Sequence, residues 1–404
     1  MTSSNPTRCL AALLALLSAA PACAAQRWRL QAPTVRDHVP SALVHAPLPV
    51  HESERTPLAF AWALDPARPL QATAPPIAVS RSYWQQVDGG DLQRGIELPL
   101  TAADAVVHVS PAPDARPLPA DALTLRDPAG HIAVVRRGDA RQLQDAGMPV
   151  AGGSSMLRTD AGSVPGAYRL QSTQAQGRYV VQVVEPRSPL RLEVQASQTQ
   201  AFAGGRLQVQ AWLLDDTATA AQRAARHGSL GGEALLVAPD GRSWPFALLR
   251  RRDGRLAADV RIPAAGSTVQ GLWELQVFVQ AGGVLRDGKI AFAVARPTAR
   301  FAGHAAPDPA SRRVSLPLQV AAAGRYEVRG TLYATAAVDG LLKPVAQAHA
   351  AAWFDSAGRG ELVLPFNQAA LPAGFGAPYE LRDLTLHDQS RMAPIESRAQ
   401  ALRF

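Results

Sequence analysis

The sequence has 404 residues, of which 47% are hydrophobic and 18% charged, as is ordinary for a globular protein of two to four domains. Its 33 prolines and 31 glycines argue against long helices. The formal net charge is +8, but the arginines that supply most of it are spread along the chain. This distribution argues against a nucleic-acid partner and leaves only a weak attraction to anionic surfaces.

The first 25 residues have the pattern of an export signal. Arg8 gives the positive start, Cys9 to Leu17 form an apolar stretch, and Ala22-Cys23-Ala24 is a small-residue cleavage site. Cleavage there would remove both cysteines, so we expect no disulfide in the mature chain. Attachment of a lipid to Cys23 is the alternative. Since no later stretch reaches the about 18 apolar residues of a membrane-spanning helix, we expect a soluble protein that is periplasmic or secreted.

Residues 26–75 form a proline-rich leader. Nine prolines between positions 33 and 76 interrupt short apolar pieces such as Leu58-Ala59-Phe60-Ala61-Trp62. Proline removes a backbone donor and fixes its own backbone angle, so this spacing predicts an extended segment.

Regular alternation of apolar and polar residues then predicts a β-rich domain over residues 76–186. Asp139 is a candidate N-cap for a short helix that runs through Ala146 and ends at Gly147. The predicted strands are Ile77–Val79, Ile96–Leu100, Val106–Val109, Leu123–Leu125 and Ile132–Val135, with Tyr168 and Tyr179 on the closing strands.

Residues 187–297 carry seven short alternating segments, and Asp-Gly turns lie at 240–241 and 253–254. This spacing predicts an immunoglobulin-like sandwich. The alanine-rich piece from Thr217 to His227 is a candidate short helix between strands.

A glycine two places before an aromatic residue recurs at the start of alternating runs. It occurs as Gly271-Leu272-Trp273, Gly177-Arg178-Tyr179, Gly324-Arg325-Tyr326 and Gly166-Ala167-Tyr168. Immunoglobulin-like folds often place a corner tyrosine late in the domain, and Trp273 takes that place in the second domain. Because Trp212, Trp244 and Trp273 all fall in predicted strands, we expect them in the core.

Residues 298–404 form the predicted third domain. Its glycine–aromatic phrase comes early, at Gly324, so this domain is not a copy of the second. We expect another β-sandwich of different topology, such as a jelly roll. The predicted strands are Leu316–Val320, Tyr326–Tyr333, Ala346–Phe354, Glu361–Phe366 and Tyr379–Leu386.

Four phrases resemble those of an uncharacterised family of bacterial secreted proteins, catalogued as domain of unknown function 4785. The phrases are Leu92 to Leu100, Pro239 to Arg242, Gly271 to Glu274 and Ala377 to Leu384. The resemblance covers roughly residues 83–392 and implies tandem immunoglobulin-like sandwiches. It implies no activity, cofactor or site residue.

The residue types that carry common catalytic or metal chemistry do not fall at the required spacings. Among the nine histidines no His-x-x-x-His pair and no Cys/His cluster occurs, and Gly-x-Ser-x-Gly is absent. His108 is predicted to be a half-buried strand residue. Asp215-Asp216 is predicted to be a turn or cap rather than part of a calcium site, because no further acidic cluster follows. Gly152 to Ser155 is predicted to be a loop rather than a phosphate cradle.

Two basic motifs can be explained by a structural role or by a binding role. Arg137-Gly138-Asp139 spells an adhesion tripeptide, but Asp139 already serves as the expected helix cap. Arg250, Arg251, Arg252 and Arg255 bracket a hairpin turn. Their charges would discourage edge-to-edge pairing, and contact with acidic glycans or lipid headgroups is the alternative.

The sequence thus predicts an all-β exported protein with no catalytic, cofactor-binding or metal-binding residues that can be named. We expect a binding or structural protein of the bacterial envelope, with an unknown protein or polysaccharide partner. The alternative is an envelope polysaccharide hydrolase, or an accessory module of a secreted hydrolase, with its site at a domain junction. Two carboxylates about 5–10 Å apart in such a pocket would favour a glycosidase.

Overall fold

The computed structural model describes residues 28–404 except 35–36, 51–53, 69, 71–73, 146, 148–149, 220–228, 267–268 and 270. The predicted export signal with both cysteines, and most of the predicted helix of 217–227, therefore lie outside the described residues. Strands account for 54% of the residues and helices for 6%, which confirms the prediction of tandem β-sandwiches.

Three separate hydrophobic cores organise the chain into a first, a second and a third sandwich. The first core uses residues from Tyr83 to Val183, and the second uses residues from Leu190 to Phe292. The third runs from Ala295 to Leu402 and also includes Leu30 from the leader. The boundaries at 186/187 and 297/298 stay predictions.

The leader contributes strands to sandwiches that are distant in sequence. Its strands are β1 (Trp28–Arg29) and β2 (Leu58–Ala63), and β3 (Ile77–Ser80) follows it. Both β1 and β2 pair with strands of the third sandwich. The sequence grouped β3 with the first domain, but it pairs with a strand of the second sandwich, and Ala78 packs on the second core.

The first sandwich contains eight strands in two sheets. One sheet has the order β5-β10-β7, and the other contains β4-β11-β6-β9-β8. A 3-10 turn at Ala120–Ala122 and two short helices, α1 (Gly89–Arg94) and α2 (Ala140–Asp145), connect strands. The strands are β4 (Ser82–Asp88), β5 (Ile96–Leu100), β6 (Val106–Pro111), β7 (Thr124–Arg126), β8 (Arg136–Asp139), β9 (Ser155–Arg158), β10 (Gly166–Gln171) and β11 (Arg178–Val184).

The predicted strand over Ile132–Val135 is wrong. Ile132 makes only an isolated bridge to Arg126, and the side chains of Ile132 and Val135 are exposed. The strand is β8, which begins one residue later and pairs with β9. Ala133 and Val134 of this run pack against the first core from the loop that precedes β8.

The second sandwich packs β17-β18-β14-β12-β3 against β16-β15-β19-β20, as the seven alternating segments predicted. Trp273 is 2% exposed and stacks on Trp244 with ring centroids 5.7 Å apart, so its predicted core position is confirmed. The strands are β12 (Leu190–Ala196), β13 (Gln200–Phe202), β14 (Arg206–Asp215), β15 (Gly231–Val237), β16 (Ser243–Ala247), β17 (Leu249–Arg250), β18 (Leu256–Arg261), β19 (Trp273–Ala281) and β20 (Val284–Ala295).

The third sandwich packs one sheet, with β23 at its centre, against a second sheet of order β2-β25-β24-β27-β28. After the hairpin β24–β25 the chain crosses to the first sheet as β26 and returns beside β24 as β27. The strands are β21 (Ala299–Phe301), β22 (His304–Asp308), β23 (Arg313–Val320), β24 (Gly324–Ala336), β25 (Leu342–Phe354), β26 (Gly358–Pro365), β27 (Phe375–Asp388) and β28 (Ala393–Arg403), with 3-10 turns at Phe366–Gln368 and Gln389–Arg391.

Two of the glycine–aromatic phrases, at Tyr168 and Tyr326, are corner motifs. The hydroxyl of Tyr168 donates to the Val164 carbonyl at 2.8 Å, and that of Tyr326 donates to the Ala322 carbonyl at 2.7 Å. A Cβ on Gly166 would lie 2.5 Å from a Pro128 side-chain carbon, so the chain needs glycine where it turns into the strand. The phrase therefore marks where a strand begins, and it says nothing about a ligand.

The first and second sandwiches share one continuous sheet, because β20 pairs with β4 at Asp287 and Ser82. Beneath this joint, Arg286 Nη1 lies 2.8 Å from Glu185 Oε2, and both side chains are fully buried. The same guanidinium donates to Thr101 Oγ1 at 2.7 Å and to Ser188 Oγ at 2.8 Å. The two sandwiches are thus joined by a sheet and a buried ion pair rather than by a free linker.

The described part of the leader from 28 to 63, which we term the strap, contacts both sheets of the third sandwich. In the sheet β2-β25-β24-β27-β28, His38 forms a β-bridge with Ser397 at the β28 edge. At the other edge the strap itself supplies β2, which pairs with β25. Between them, Arg325 Nη1 donates to the carbonyls of Glu54 and Thr56 at 2.9 and 2.8 Å. The predicted extended segment is therefore an integral part of the third sandwich.

Candidate functional site

The outer face of the sheet β2-β25-β24-β27-β28, which we call the outer face, collects the residues best suited to bind a ligand. Side chains alternate between the two sides of a strand, and Tyr326, Val328 and Leu332 of β24 point into the third core. Glu327 and Arg329, which alternate with Tyr326 and Val328, therefore point outward. The strand register places five outward residues in one row across the sheet, which are Phe60, His349, Arg329, Thr385 and Ser397.

Three rings form an aromatic cluster at the β2 end of this row. The Phe60 centroid lies 5.3 Å from that of His349 and 5.7 Å from that of Trp62, and the Trp62 and His349 centroids are 5.2 Å apart. All three interplanar angles are below 30°, so the rings are stacked. Phe60 and Trp62 each remain 39% exposed, which leaves aromatic surface available to a partner.

A hydrogen-bond network fixes the imidazole of this cluster. His349 Nδ1 lies 2.7 Å from Glu327 Oε1, and Gln389 Nε2 donates to Glu327 Oε2 at 2.6 Å. Both carboxylate oxygens of Glu327 are therefore occupied within the protein. The carboxylate holds the ring in place beside Phe60, as in sites where a second group orients a functional side chain.

Two polar atoms next to this network have no hydrogen-bond partner among the described residues. They are His387 Nδ1 and Thr385 Oγ1, both on β27 and both buried as atoms. Burial lowers the pKa of His387, and the positive charge of Arg329 acts in the same direction, whereas Glu327 opposes it. His387 is therefore neutral at pH 7, with one ring nitrogen able to donate and the other able to accept.

Arg329 lies at the centre of the outer face, between the aromatic cluster and Thr385. It is exposed and makes no hydrogen bond or ion pair to a described residue. The neighbouring Arg382 differs, because its Nε donates to Glu380 at 2.9 Å and its guanidinium lies 4.5 Å from the Tyr333 ring centroid. Arg329 thus has its hydrogen-bonding capacity available for a ligand.

A cleft of about 550 Å³ lies where the strap, the second and the third sandwich meet. Its described lining contains Arg296 and Arg391 among mainly apolar residues such as Leu272 and Met392, and no carboxylate. The paired carboxylates expected of a glycosidase at a domain junction are not brought together in this cleft.

A smaller depression of about 340 Å³ lies on the first sandwich, lined by Trp84, His108, Ser110 and Gln182 among others. His108 is half-buried in β6, as the sequence predicted, and burial lowers its pKa. Its Nε2 atom has no hydrogen-bond partner among the described residues. This depression offers fewer kinds of contact to a ligand than the outer face, since no charged side chain is among its described lining residues.

Several residues singled out in the sequence have structural roles. Asp139 caps α2, because its Oδ1 accepts from the backbone N–H of Gln142 at 2.9 Å. Asp215 Oδ1 accepts from both the N–H and the hydroxyl of Thr217 at 2.9 Å, which makes it a turn residue. Among the residues that the structure describes, no group of three or more His, Cys, Asp or Glu could hold a metal ion.

The basic hairpin is solvent-exposed at Arg250, Arg251, Arg252 and Arg255. The Arg255 guanidinium lies 4.7 Å from the ring centroid of Trp212, and Trp212 Nε1 donates to Glu193 at 2.9 Å. The predicted core position of Trp212 is therefore wrong, because this residue faces outward between the buried Ala211 and Leu213.

Two family models match the chain and identify its protein family. The model of the domain of unknown function DUF4785, N-terminal domain, matches residues 49–185, and the model of the DUF4785 C-terminal domain matches residues 298–404. The chain belongs to the DUF4785 family. The resemblance noted in the sequence is thereby confirmed.

One solved structure supports the fold of this DUF4785 protein. A DUF4785 family protein from Legionella pneumophila is 18% identical, with a TM-score of 0.64, and the match covers 89% of this chain and 98% of that one. Native Escherichia coli alpha-2-macroglobulin is 11% identical over 81% of this chain and 20% of its own, with a TM-score of 0.27. The Escherichia coli adhesin FdeC is 11% identical over 82% of this chain and 99% of its own, with a TM-score of 0.18. The last two are too dissimilar to support an argument.

The matches name no catalytic activity. No curated protein matches the sequence. In the part of the DUF4785 chain that the structure describes, no helix is long and apolar enough to cross a membrane.

Sequence reasoning did not find the outer face of this DUF4785 protein. The signal was present, since Leu58, Phe60 and Trp62 alternate with three alanines. Such a pattern is typical of a strand with large side chains on one face and small ones packed beneath it. Its partner β25 is nearly 300 residues away, so no local pattern joins Phe60 to His349.

Proposed function

We propose that this DUF4785 protein is an exported, non-catalytic binding protein of the bacterial envelope, and that it holds its partner on the outer face. The observation that supports this is the exposed aromatic cluster beside Arg329, which makes no hydrogen bond or ion pair to a described residue. Tryptophan and arginine are the residue types that contribute most often to binding hot spots. Here they lie on a five-stranded sheet, and sites on rigid strands hold their geometry better than sites on loops.

Export rests on the signal-like pattern of the first 25 residues, so the partner is an envelope or extracellular component. The junction cleft is lined mainly by apolar residues with Arg296 and Arg391, and its described lining has no carboxylate that could act as an acid or base in hydrolysis. Two features of the outer face suit binding rather than turnover: both oxygens of Glu327 are engaged, and His349 is held by that same carboxylate.

The test is co-sedimentation of the purified mature protein with washed envelope fragments. The wild type should bind saturably, and Trp62→Ala should weaken binding by about 30-fold, which corresponds to a hot-spot contribution of about 2 kcal/mol. Trp212→Ala is the matched control, because Trp212 is also partly exposed on a sheet but lies in the second sandwich.

Wild-type binding that Trp62→Ala and Trp212→Ala leave equally strong would reject the outer face as the site. Failure of the wild type to bind any envelope fraction would reject the proposed function. Release of soluble sugars from the fragments by the wild type would show that the protein is a hydrolase.

A further inference from the structure

The outer face offers two kinds of contact at a fixed separation. Phe60, His349 and Arg329 are direct neighbours on three adjacent strands. The backbones of Phe60 and Arg329 are therefore two strand spacings apart, about 10 Å. A ligand that uses both must be extended along the row, with an apolar surface at one point and an anionic or strongly accepting group at the next.

We propose that the outer face binds a polysaccharide whose sugar units carry carboxylate groups. This inference rests on the proposed function and names the partner class. A sugar ring has one surface made of C–H groups, which packs on Trp62 and Phe60, while its hydroxyls lie at the rim. The rim would meet the Nε2 atoms of His349 and His387, because Nδ1 of His349 is bound to Glu327 and Nδ1 of His387 is buried.

Arg329 supplies the preference for carboxylate. A guanidinium binds a carboxylate with two parallel hydrogen bonds, and Arg329 has no such partner within the described protein. Two carboxylates lie near Arg329. The oxygens of Glu327 are occupied by His349 and Gln389, and the pKa of Asp383 is raised by burial and lowered by the charges of Arg382 and Arg329. The formal charge of +8, spread along the chain, adds only a weak general attraction to a polyanion, so the preference must come from Arg329 itself.

An extended peptide fits the face less well. Peptides that add to sheets use main-chain hydrogen bonds at an edge. The contacts described here are side chains in the middle of the sheet, and the edge strand β28 is bridged at Ser397 by His38. Recognition by side chains alone suits a polymer without backbone amide pairing.

The experiment measures binding of the full mature chain to three uronate polymers, polygalacturonate, alginate and hyaluronate, with neutral dextran as reference. Calorimetry or affinity electrophoresis should show binding to at least one uronate polymer and at least tenfold weaker binding to dextran. Trp62→Ala should weaken that binding by about 30-fold, and Arg329→Ala should weaken it by about tenfold.

The matched control for charge is Arg359→Ala, because Arg359 is exposed on β26 in the opposite sheet of the same sandwich. This variant should bind like the wild type. Added salt should weaken wild-type binding, and Arg329→Ala should show a smaller salt dependence, because the charge contact is gone. Circular dichroism and melting curves check that each variant is folded.

Three results would overturn the inference. They are binding to none of the three uronate polymers, equal binding to dextran, and equal effects of Arg329→Ala and Arg359→Ala. If envelope fragments still bind through Trp62, and protease treatment of the fragments removes that binding, the partner is a protein. The proposed function would then stand and only the polysaccharide would be rejected.

Discussion

Removal of the Arg286 charge should destabilise the joint between the first and second sandwiches. The Arg286 and Glu185 side chains are fully buried, and burial lowers the pKa of Arg286 while Glu185 opposes that shift. The guanidinium also donates to Thr101, Ser188 and the Leu190 carbonyl. Arg286→Met would leave the buried Glu185 carboxylate without its counter-charge, with only the Thr101 and Ala102 N–H groups and the Thr101 hydroxyl as its donors among the described residues.

Breaking a buried ion pair by removing one partner costs about 3–5 kcal/mol. The two sandwiches together span residues 77–295 and are joined by one sheet. A unit of 150–250 residues shifts its melting temperature by about 2–4 °C per kcal/mol. Arg286→Met should therefore lower the melting temperature of this part by about 6–20 °C. Glu185→Leu should have a similar effect, and the double variant should lose less than the sum, because no unpaired charge remains.

The assay is thermal unfolding of the full mature chain, followed by circular dichroism, at pH 7. Arg187→Met is the control, since the exposed Arg187 lies 3.3 Å from Asp104 and its loss leaves Asp104 paired with Arg158, at a cost of about 0–1 kcal/mol. A decrease for Arg286→Met no larger than that for Arg187→Met would refute the reasoning. Equal and additive losses in the double variant would show that the pair is not coupled.

Three further changes test the cores and the strap. Trp273→Ala should cost about 3–5 kcal/mol because it empties a core site, and an unchanged melting temperature would contradict its buried position. Burial lowers the pKa of His38 from 6.5 to about 4. The stability that neutral His38 gives the folded state is complete above pH 6.5. It is lost as the pH falls toward 4, because His38 of the unfolded chain then binds a proton that the folded chain does not. The drop in melting temperature from pH 7 to pH 4.5 should thus be smaller in His38→Gln than in the wild type, and an equal drop would refute this. Tyr326→Phe should cost about 0.5–1.5 kcal/mol, the worth of its hydrogen bond to Ala322, in urea unfolding.

Strands with strict alternation were predictable because burial with a period of two is a local property. Trp273, Leu275, Val277 and Val279 are all buried, and the residues between them are more exposed. Strand β28 escaped prediction because charged residues interrupt its pattern. Glu396 and Arg398 are buried as a pair at 2.8 Å, and Glu396 also accepts from the Phe301 N–H. No window of sequence shows that two charges will satisfy each other inside a core.

The candidate site depends on pairing over a long range. The proline spacing of the leader correctly indicates an extended chain, but Phe60 becomes part of a site only when β2 lies beside β25. Arg329 has no distinctive sequence pattern around it, and only the folded sheet shows that no described residue forms a hydrogen bond or ion pair with it. Such properties follow from the assembled sheet and not from residue spacing.

The strap brings the two ends of the described chain into the same sandwich. Trp28 pairs with Ala305, and the Phe404 N–H donates to the Tyr379 carbonyl at 2.9 Å. A pulling force applied between these ends would therefore pass through the third sandwich alone. The first and second sandwiches would form a closed loop between strands of the third. They would carry no tension until the third sandwich unfolds.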